Sequence, residues 1–213
     1  MNEYAEYKNI LIQRTIKSLE KNFFDVVFLK DKLEVLSYLA ELIPSDSIVG
    51  YGGSRSLEEV GFFEHFTKEH YPNLLDRRSE GLTQDQKRAL QISALSSDFF
   101  LCSVNALSME GDLVFIDKWG NRNAAMTFGP KNRIVVVGKN KIEKTLSDAL
   151  SRAQNVAAVL NNIRFNTKNP CSVQGHCVNC SSPDRLCSVT TIINRCAPSK
   201  SIKVIIVDEN LGF

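Results

Sequence analysis

The chain has 213 residues, of which 43% are hydrophobic and 23% are charged, so it can bury a core as one globular domain. Its 26 basic and 24 acidic residues leave a formal net charge of +2, a balance that argues against nucleic acid or a membrane as a partner. No apolar run reaches the ~18 residues of a transmembrane helix, and the first residues lack the apolar block of a signal peptide. We therefore expect a cytoplasmic protein.

Helical and strand patterns alternate along the chain. Apolar residues at helical spacing predict a first helix over 3–21, and stripes after 31, 56, 83 and 142 predict further helices. Short apolar, β-branched runs predict strands at 24–29, 48–51, 99–104, 112–117, 134–137, 190–194 and 203–207. This alternation is typical of a parallel sheet with right-handed crossovers. We predict one three-layer α/β domain over 1–213, with a mainly parallel sheet, helices on both faces and an irregular segment at 165–188.

Three polar pairs at i, i+3 predict where helices begin. They are Asp31 with Glu34, Ser56 with Glu59, and Thr83 with Gln86. After the run at 112–117, the sequence Trp119-Gly120-Asn121 predicts the turn of a hairpin.

A glycine-rich turn, Gly50-Tyr51-Gly52-Gly53-Ser54, lies between a predicted strand and a predicted helix. Glycines let the backbone approach a ligand closely, and a helix start favours phosphate or carboxylate. Ser54 adds a hydroxyl donor and Arg55 adds charge. The pattern is neither a dinucleotide fingerprint nor a phosphate-binding P-loop, and a tight turn without a ligand is the alternative interpretation.

Polar residues also collect in the segment 104–129, at Asn105, Glu110, Asn121 and Arg122. Glu110 follows a predicted strand, and the carboxyl edge of a parallel sheet is where ligands bind. A carboxylate there could act as a general base or as a nucleophile toward an acyl group. The alternative is a plain hairpin with a solvated glutamate. We predict that this segment and the glycine turn line one pocket.

Five of the six cysteines fall between 171 and 196. Cys171, Cys177, Cys180 and Cys187 have the spacing C-x5-C-x2-C-x6-C, and a C-x2-C pair is a recurrent half of a tetrahedral thiolate site. The spacing does not distinguish zinc from an iron–sulfur cluster, and His176 could replace one ligand. Unligated thiols or adventitious disulfides are the alternatives. We predict a metal site at these four cysteines.

Several longer segments together resemble a known family. They are GYGGSRSLEEVG, the run from Ser103 that contains NALSMEGDLVFIDKWGNRNAAMTFG, and the later segments NVAAVLNN, CVNCSSPDRLC and DENLGF. The chain resembles the LUD (lactate-utilisation, DUF162) domain family, in the stand-alone branch that carries a carboxyl-terminal cysteine segment. The resemblance covers the chain from about residue 5 onward.

The resemblance implies a fold like that of glucosamine-phosphate deaminase, ribose-phosphate isomerase and the coenzyme A transferases. It implies a role in oxidising lactate to pyruvate beside iron–sulfur partner proteins. The glycine turn predicts a small anionic metabolite, a carboxylate or a phosphate, as the ligand. Some residues of this chain match motifs that recur in the family, and the resemblance supports them as site residues. They are Gly52, Gly53, Ser54, Asn105, Glu110, Asn121 and Arg122.

Three functions remain open from the sequence. The first is a subunit or accessory in the oxidation of lactate or a related organic acid. The second is an enzyme on a sugar phosphate or acyl thioester, which rests on fold analogy. The third is a regulatory or scaffolding protein stabilised by zinc.

Overall fold

The computed structural model describes residues 2–213, apart from the side chain of Tyr4. In this part of the chain, strands form a five-stranded sheet and a four-stranded sheet. The strands are β1 (Asp25–Leu29), β2 (Val49–Tyr51), β3 (Phe99–Cys102), β4 (Ala106–Ser108), β5 (Leu113–Asp117), β6 (Asn132–Gly138), β7 (Ile142–Glu143), β8 (Val189–Ile193) and β9 (Ile202–Val207).

Helices cover the sheets. They are α1 (Glu3–Lys21), α2 (Lys32–Leu42), α3 (Arg55–Glu59), α4 (Phe62–His65), α5 (Gln84–Ser93), α6 (Asn121–Phe128), α7 (Leu146–Arg152), α8 (Ala158–Arg164) and α9 (Cys171–Gln174). A π-helical turn, Ala153–Ala157, joins α7 to α8. No helix within residues 2–213 is both long and apolar enough to cross a membrane.

The larger sheet is parallel throughout, with the strand order β1-β9-β6-β3-β2. Alternate residues of a strand point to opposite faces, and β6 shows the consequence. Val135 and Val137 pack in one buried cluster with α1 and α6, whereas Ile134 and Val136 pack in another with α2. Two cores on the two faces of one sheet confirm the predicted three-layer α/β fold.

The second sheet has the order β7-β4-β5-β8 and is mixed. β4 and β5 pair antiparallel as a hairpin, and β8 adds antiparallel to β5. The hairpin turn therefore precedes β5, and the prediction of a hairpin turn at Trp119–Asn121 is wrong. Gly120 instead has φ 76° and is the residue from which α6 begins.

The capping predictions are confirmed at two sites and corrected at one. Asp31 accepts hydrogen bonds from the backbone N–H groups of Leu33 and Glu34, and Thr83 with Gln86 forms the reciprocal box. The cap of α3, however, is Ser54, whose hydroxyl accepts from the backbone N–H of Leu57 at 3.1 Å. Ser56 lies inside this helix, fully buried, because the helix begins two residues earlier than expected.

Candidate functional site

A cleft of about 980 Å³ lies at the carboxyl edge of the parallel sheet. The strands β2, β3 and β6 all run in the same direction, so the segments that follow them meet at one edge. Gly53 follows β2, Ser103 follows β3 and Lys141 follows β6, and all three line the cleft. Phe213, beyond β9, lines it as well. The sheet topology thus collects polar residues from distant parts of the chain.

The glycine turn makes room for two arginines. A Cβ at Gly52 would lie 3.1 Å from Cδ of Arg122, and a Cβ at Gly53 would lie 2.7 Å from Nη2 of Arg77. The second distance is shorter than Cβ contacts in proteins. Glycine at these positions therefore lets the methylene stem of Arg122 and the guanidinium of Arg77 approach the backbone at the end of β2.

Arg77 is held over this turn by the segment that precedes it. Leu74 bridges to Val49, and the backbone N–H of Leu75 donates to the Val49 carbonyl at 2.9 Å. The Tyr51 hydroxyl donates to Asp76 Oδ1 at 2.5 Å. The Arg77 guanidinium carbon consequently lies 5.7 Å from the centre of the Tyr51 ring.

The Arg77 side chain is half-buried and lines the cleft, yet it has no hydrogen-bond or ion-pair partner within residues 2–213. Burial lowers the pKa of its guanidinium below the ordinary value, although an arginine stays charged in proteins. A half-buried cation without a direct partner is costly. An anion in the cleft would offset that cost.

Arg122, in contrast, is fully engaged in holding the site together. Its Nε donates to Asp117 Oδ1 at 2.9 Å and its Nη1 donates to the Ser103 carbonyl at 2.8 Å. Its Nη2 donates to Asn105 Oδ1 at 2.7 Å and to the Ile116 carbonyl at 2.8 Å. Arg122 therefore fastens the end of β3 to the end of β5, and Asn105 takes part in the same crosslink.

Lys141 is the most deeply buried cation of the cleft, at 2% exposure. Its Nζ donates to Ser56 Oγ at 2.9 Å, to Ser103 Oγ at 2.9 Å and to the Val104 carbonyl at 3.3 Å. Burial, together with the positive charges of Arg152 and Arg122, lowers the pKa of this amine to about 7. An amine with this pKa is partly neutral near pH 7 and can exchange a proton.

The charge of the cleft is strongly positive. Three lysines and six arginines line it, against the three carboxylates of Glu58, Asp85 and Asp117. Several of these cations are neutralised locally, since Arg55 and Arg164 share Glu58. Among the arginines that line the cleft, Arg77 is half-buried and has no ion pair within residues 2–213. The arginines are Arg55, Arg77, Arg78, Arg88, Arg122 and Arg164.

Most of the predicted site residues meet in this cleft. Its lining includes Gly53, Ser54, Arg55, Asn105, Asn121 and Arg122, and Gly52 lies directly beneath Arg122. Their roles in ligand binding stay predictions.

Glu110 does not join them. It is exposed at the β4–β5 turn, where its carbonyl accepts from Asn22 Nδ2 at 3.0 Å, and it is absent from the cleft lining. β4 starts just after Asn105 and carries the chain to the hairpin turn, which packs against α1. The predicted convergence of Glu110 with the glycine turn is therefore wrong.

Two site residues were missed by sequence reasoning. Lys141 follows β6, the apolar run at 134–137, so the rule that ligands bind beyond parallel strand ends would have found it. Arg77 lies in an irregular segment between β2 and α5 and carries no motif. Only the pairing of that segment with β2 places it in the cleft.

The cysteine segment is ordered by hydrogen bonds from the protein itself. Arg185 donates to the carbonyls of Cys180 and Cys187, at 2.8 and 3.1 Å, and to Asn179 Oδ1 at 3.0 Å. Asn155 Oδ1 accepts from the backbone N–H of Cys177 at 3.1 Å.

The four cysteines lie near one another, but their side chains are not arranged to bind a metal ion together. Burial and the proximity of Cys180, Cys187 and Cys177 raise the pKa of the Cys171 thiol. All four are free thiols, and within residues 2–213 no group of three or more His, Cys, Asp or Glu side chains is placed to hold a metal ion. The arrangement does not fit zinc or a cluster as it stands, so the metal site remains a prediction for metal analysis.

Comparisons with known proteins point to one family. The family model described as LUD domain matches residues 12–207. A crystal structure of a DUF162 family protein from Deinococcus radiodurans is similar at a TM-score of 0.56 and 12% identity, over 94% of this chain and 98% of that chain. At this identity the likeness shows the fold. No curated protein matches the chain.

Proposed function

Because this chain belongs to the LUD domain family, we propose that it takes part in the oxidation of lactate or a related small organic acid and that its cleft binds the anionic metabolite. The observation that carries this proposal is Arg77, a half-buried guanidinium that has no hydrogen-bond or ion-pair partner among residues 2–213. It lies in a cleft of nine cations and three carboxylates. A guanidinium presents two parallel N–H groups to a carboxylate or a phosphate, which suits both ligand classes.

The surroundings of Arg77 support an anion at this position. Gly53 lets the guanidinium lie close against the backbone of the turn, and Tyr51 packs beneath it. Lys141 and Asn121 line the same cleft and supply further N–H donors. Interaction with iron–sulfur partner proteins would accompany this function, and the exposed cysteine segment is the candidate contact.

The second candidate function is an enzyme acting on a sugar phosphate or an acyl thioester. The specific observation in its favour is the size and charge of the cleft. Nine cations against three carboxylates leave a formal surplus of six positive charges in about 980 Å³. A monocarboxylate such as lactate neutralises only one of them, whereas a phosphorylated metabolite neutralises two or more. Trp119, 74% exposed beside the cleft, offers an apolar face to a larger ligand.

Titration calorimetry separates the two functions. The probes are L-lactate, pyruvate, inorganic phosphate, ribose 5-phosphate and acetyl-coenzyme A, each added to the full chain. Binding of lactate or pyruvate would support the first function, and binding confined to phosphorylated probes would support the second. Absence of binding by all five would refute the proposal that this cleft is an anion site.

The matched variants are Arg77→Gln and Arg14→Gln. Arg77 lies in the cleft, whereas Arg14 is exposed on α1 and does not line it. We expect Arg77→Gln to weaken binding of the anion by about tenfold or more, equivalent to ~1.4 kcal/mol. Arg14→Gln should leave binding unchanged. Equal effects of the two variants would show that general charge, rather than the cleft, determines binding.

A further inference from the structure

Three hydroxyl and amine groups form a buried chain beside the cleft. Ser56 Oγ donates to Ser103 Oγ at 3.3 Å, and Lys141 Nζ contacts both hydroxyls at 2.9 Å. Ser103 is 2% exposed and Ser56 is fully buried. The three residues come from α3, from the end of β3 and from the turn after β6, so the parallel sheet alone brings them together.

Of the two serines in this group, Ser103 is the one that lines the cleft. Ser103 and Lys141 line the cleft, whereas Ser56 does not. Ser56 Oγ also donates to the Leu211 carbonyl at 3.2 Å, which ties it to the carboxyl-terminal segment. The geometry thus gives Ser56 a positioning role and leaves Ser103 at the wall of the cleft.

The charges around Lys141 suit a base. Arg152 on α7 and Arg122 on α6 disfavour its ammonium form, as does burial. Glu59 on α3 and the Cys102 thiol on β3 act in the opposite sense, more weakly. A general base works best when its pKa lies near the working pH.

We propose that Ser103 is a nucleophile and Lys141 its general base, acting on the acyl carbon of an ester or thioester whose anionic part binds at Arg77. This deepens the second candidate function and rests on it for the choice of substrate. In the first step the neutral amine takes the proton of the Ser103 hydroxyl, an Oγ–carbon bond forms and the carbon–sulfur bond of the thioester breaks. The leaving thiolate takes the proton from Lys141.

In the second step Lys141 takes a proton from water, which attacks the acyl carbon. The Oγ–carbon bond breaks, Ser103 recovers its proton from Lys141, and a carboxylic acid is released. No oxidant or reductant is consumed. The pairing of a serine with a lysine base is a recurrent form of acyl-transfer chemistry.

The test uses p-nitrophenyl acetate on the full chain. We expect one acetyl group on the peptide that contains Ser103, located by mass spectrometry, with one equivalent of p-nitrophenolate released in the same phase. The rate should rise with pH through a midpoint of about 7, since the amine must be neutral. Acetylation elsewhere with an unmodified Ser103 would overturn the proposal, as would an unreactive wild-type protein.

Matched variants sharpen the result. Ser103→Ala should abolish the release phase, and Lys141→Arg, which keeps the positive charge, should slow it by about 100-fold or more. Ser97→Ala should have no effect, because Ser97 is a buried serine just before β3, at the opposite end of that strand. If Lys141→Arg fails to fold, the peptide map of the wild-type protein still decides the proposal. Anion binding without acetylation of Ser103 would refute this inference and leave the proposed function standing.

Discussion

Replacing Lys141 by Met should change how the stability of the protein depends on pH. In the folded protein the pKa of Lys141 is lowered from 10.5 to about 7 by burial and by nearby arginines. Between these two values the unfolded chain carries a proton at this position that the folded chain does not. The free energy of unfolding therefore increases as pH rises from about 7 to 10.5, and it decreases as pH falls through the same range. Met cannot titrate, so the variant lacks this contribution.

The magnitude follows from the shift itself. Each pH unit inside the window changes the wild-type free energy of unfolding by about 1.4 kcal/mol relative to the variant. Two units change the difference by about 3 kcal/mol, or roughly 5–10 °C in melting temperature for a domain of this size. The lost hydrogen bonds of Lys141 add an offset that does not depend on pH. Ser56 can still donate to Ser103, and Ser103 to the Val104 carbonyl, which keeps that offset small.

Urea unfolding of both proteins at about pH 7.5 and about pH 9.5 measures the difference. The control is Lys131→Met, which removes an exposed lysine at the amino-terminal end of β6. Its difference from wild type should be the same at both pH values, because its ammonium stays in water in both states. A Lys141→Met difference that does not change with pH would refute the lowered pKa and with it the assignment of Lys141 as a base.

The remaining predictions concern the glycine turn, a buried tyrosine and the cysteine segment. Gly53→Ala should displace the arginine above it and weaken anion binding by about tenfold, with little effect on melting temperature; calorimetry that finds wild-type affinity would contradict this. Tyr51→Phe removes the hydrogen bond to Asp76 and should lower the free energy of unfolding by about 1.5–3 kcal/mol, measured in urea. Cys180→Ser and Cys187→Ser should each reduce metal content after anaerobic purification if the predicted metal site forms, and a wild-type protein without stoichiometric metal would end that prediction.

Local sequence signals determined most of the secondary structure. The boundaries of α1 and β1 fall within one residue of the prediction, and the caps at Asp31 and Thr83 form as expected. These signals succeed because they depend on contacts within one helical turn or one strand. They fail where two local solutions compete. Serine is a common capping residue, so either Ser54 or Ser56 could cap α3. Ser54 is the cap, because the Ser56 hydroxyl is buried and donates to the Leu211 carbonyl.

The carboxyl edge of the sheet was predictable, but its chemistry was not. The predicted parallel sheet indicated that residues after β2 and β3 would meet at one edge, and Gly53 and Asn105 do line one cleft. Glu110 fails because the strand before it belongs to an antiparallel hairpin in the second sheet, which reverses the direction of the chain. A short apolar run has the same appearance in either kind of sheet.

Only the tertiary structure paired Lys141 with Ser103, and Arg77 with Gly53. Each pair is separated by more than twenty residues, and no spacing rule links them. The lowered pKa of Lys141 arises from desolvation when the sheet and helices close over it, and the position of Arg77 in the cleft arises from the pairing of its segment with β2. The sequence alone determined the residue types at this edge. Their burial and their partners depend on which strands lie side by side in the sheet, because solvation and charge proximity are properties of the packed molecule.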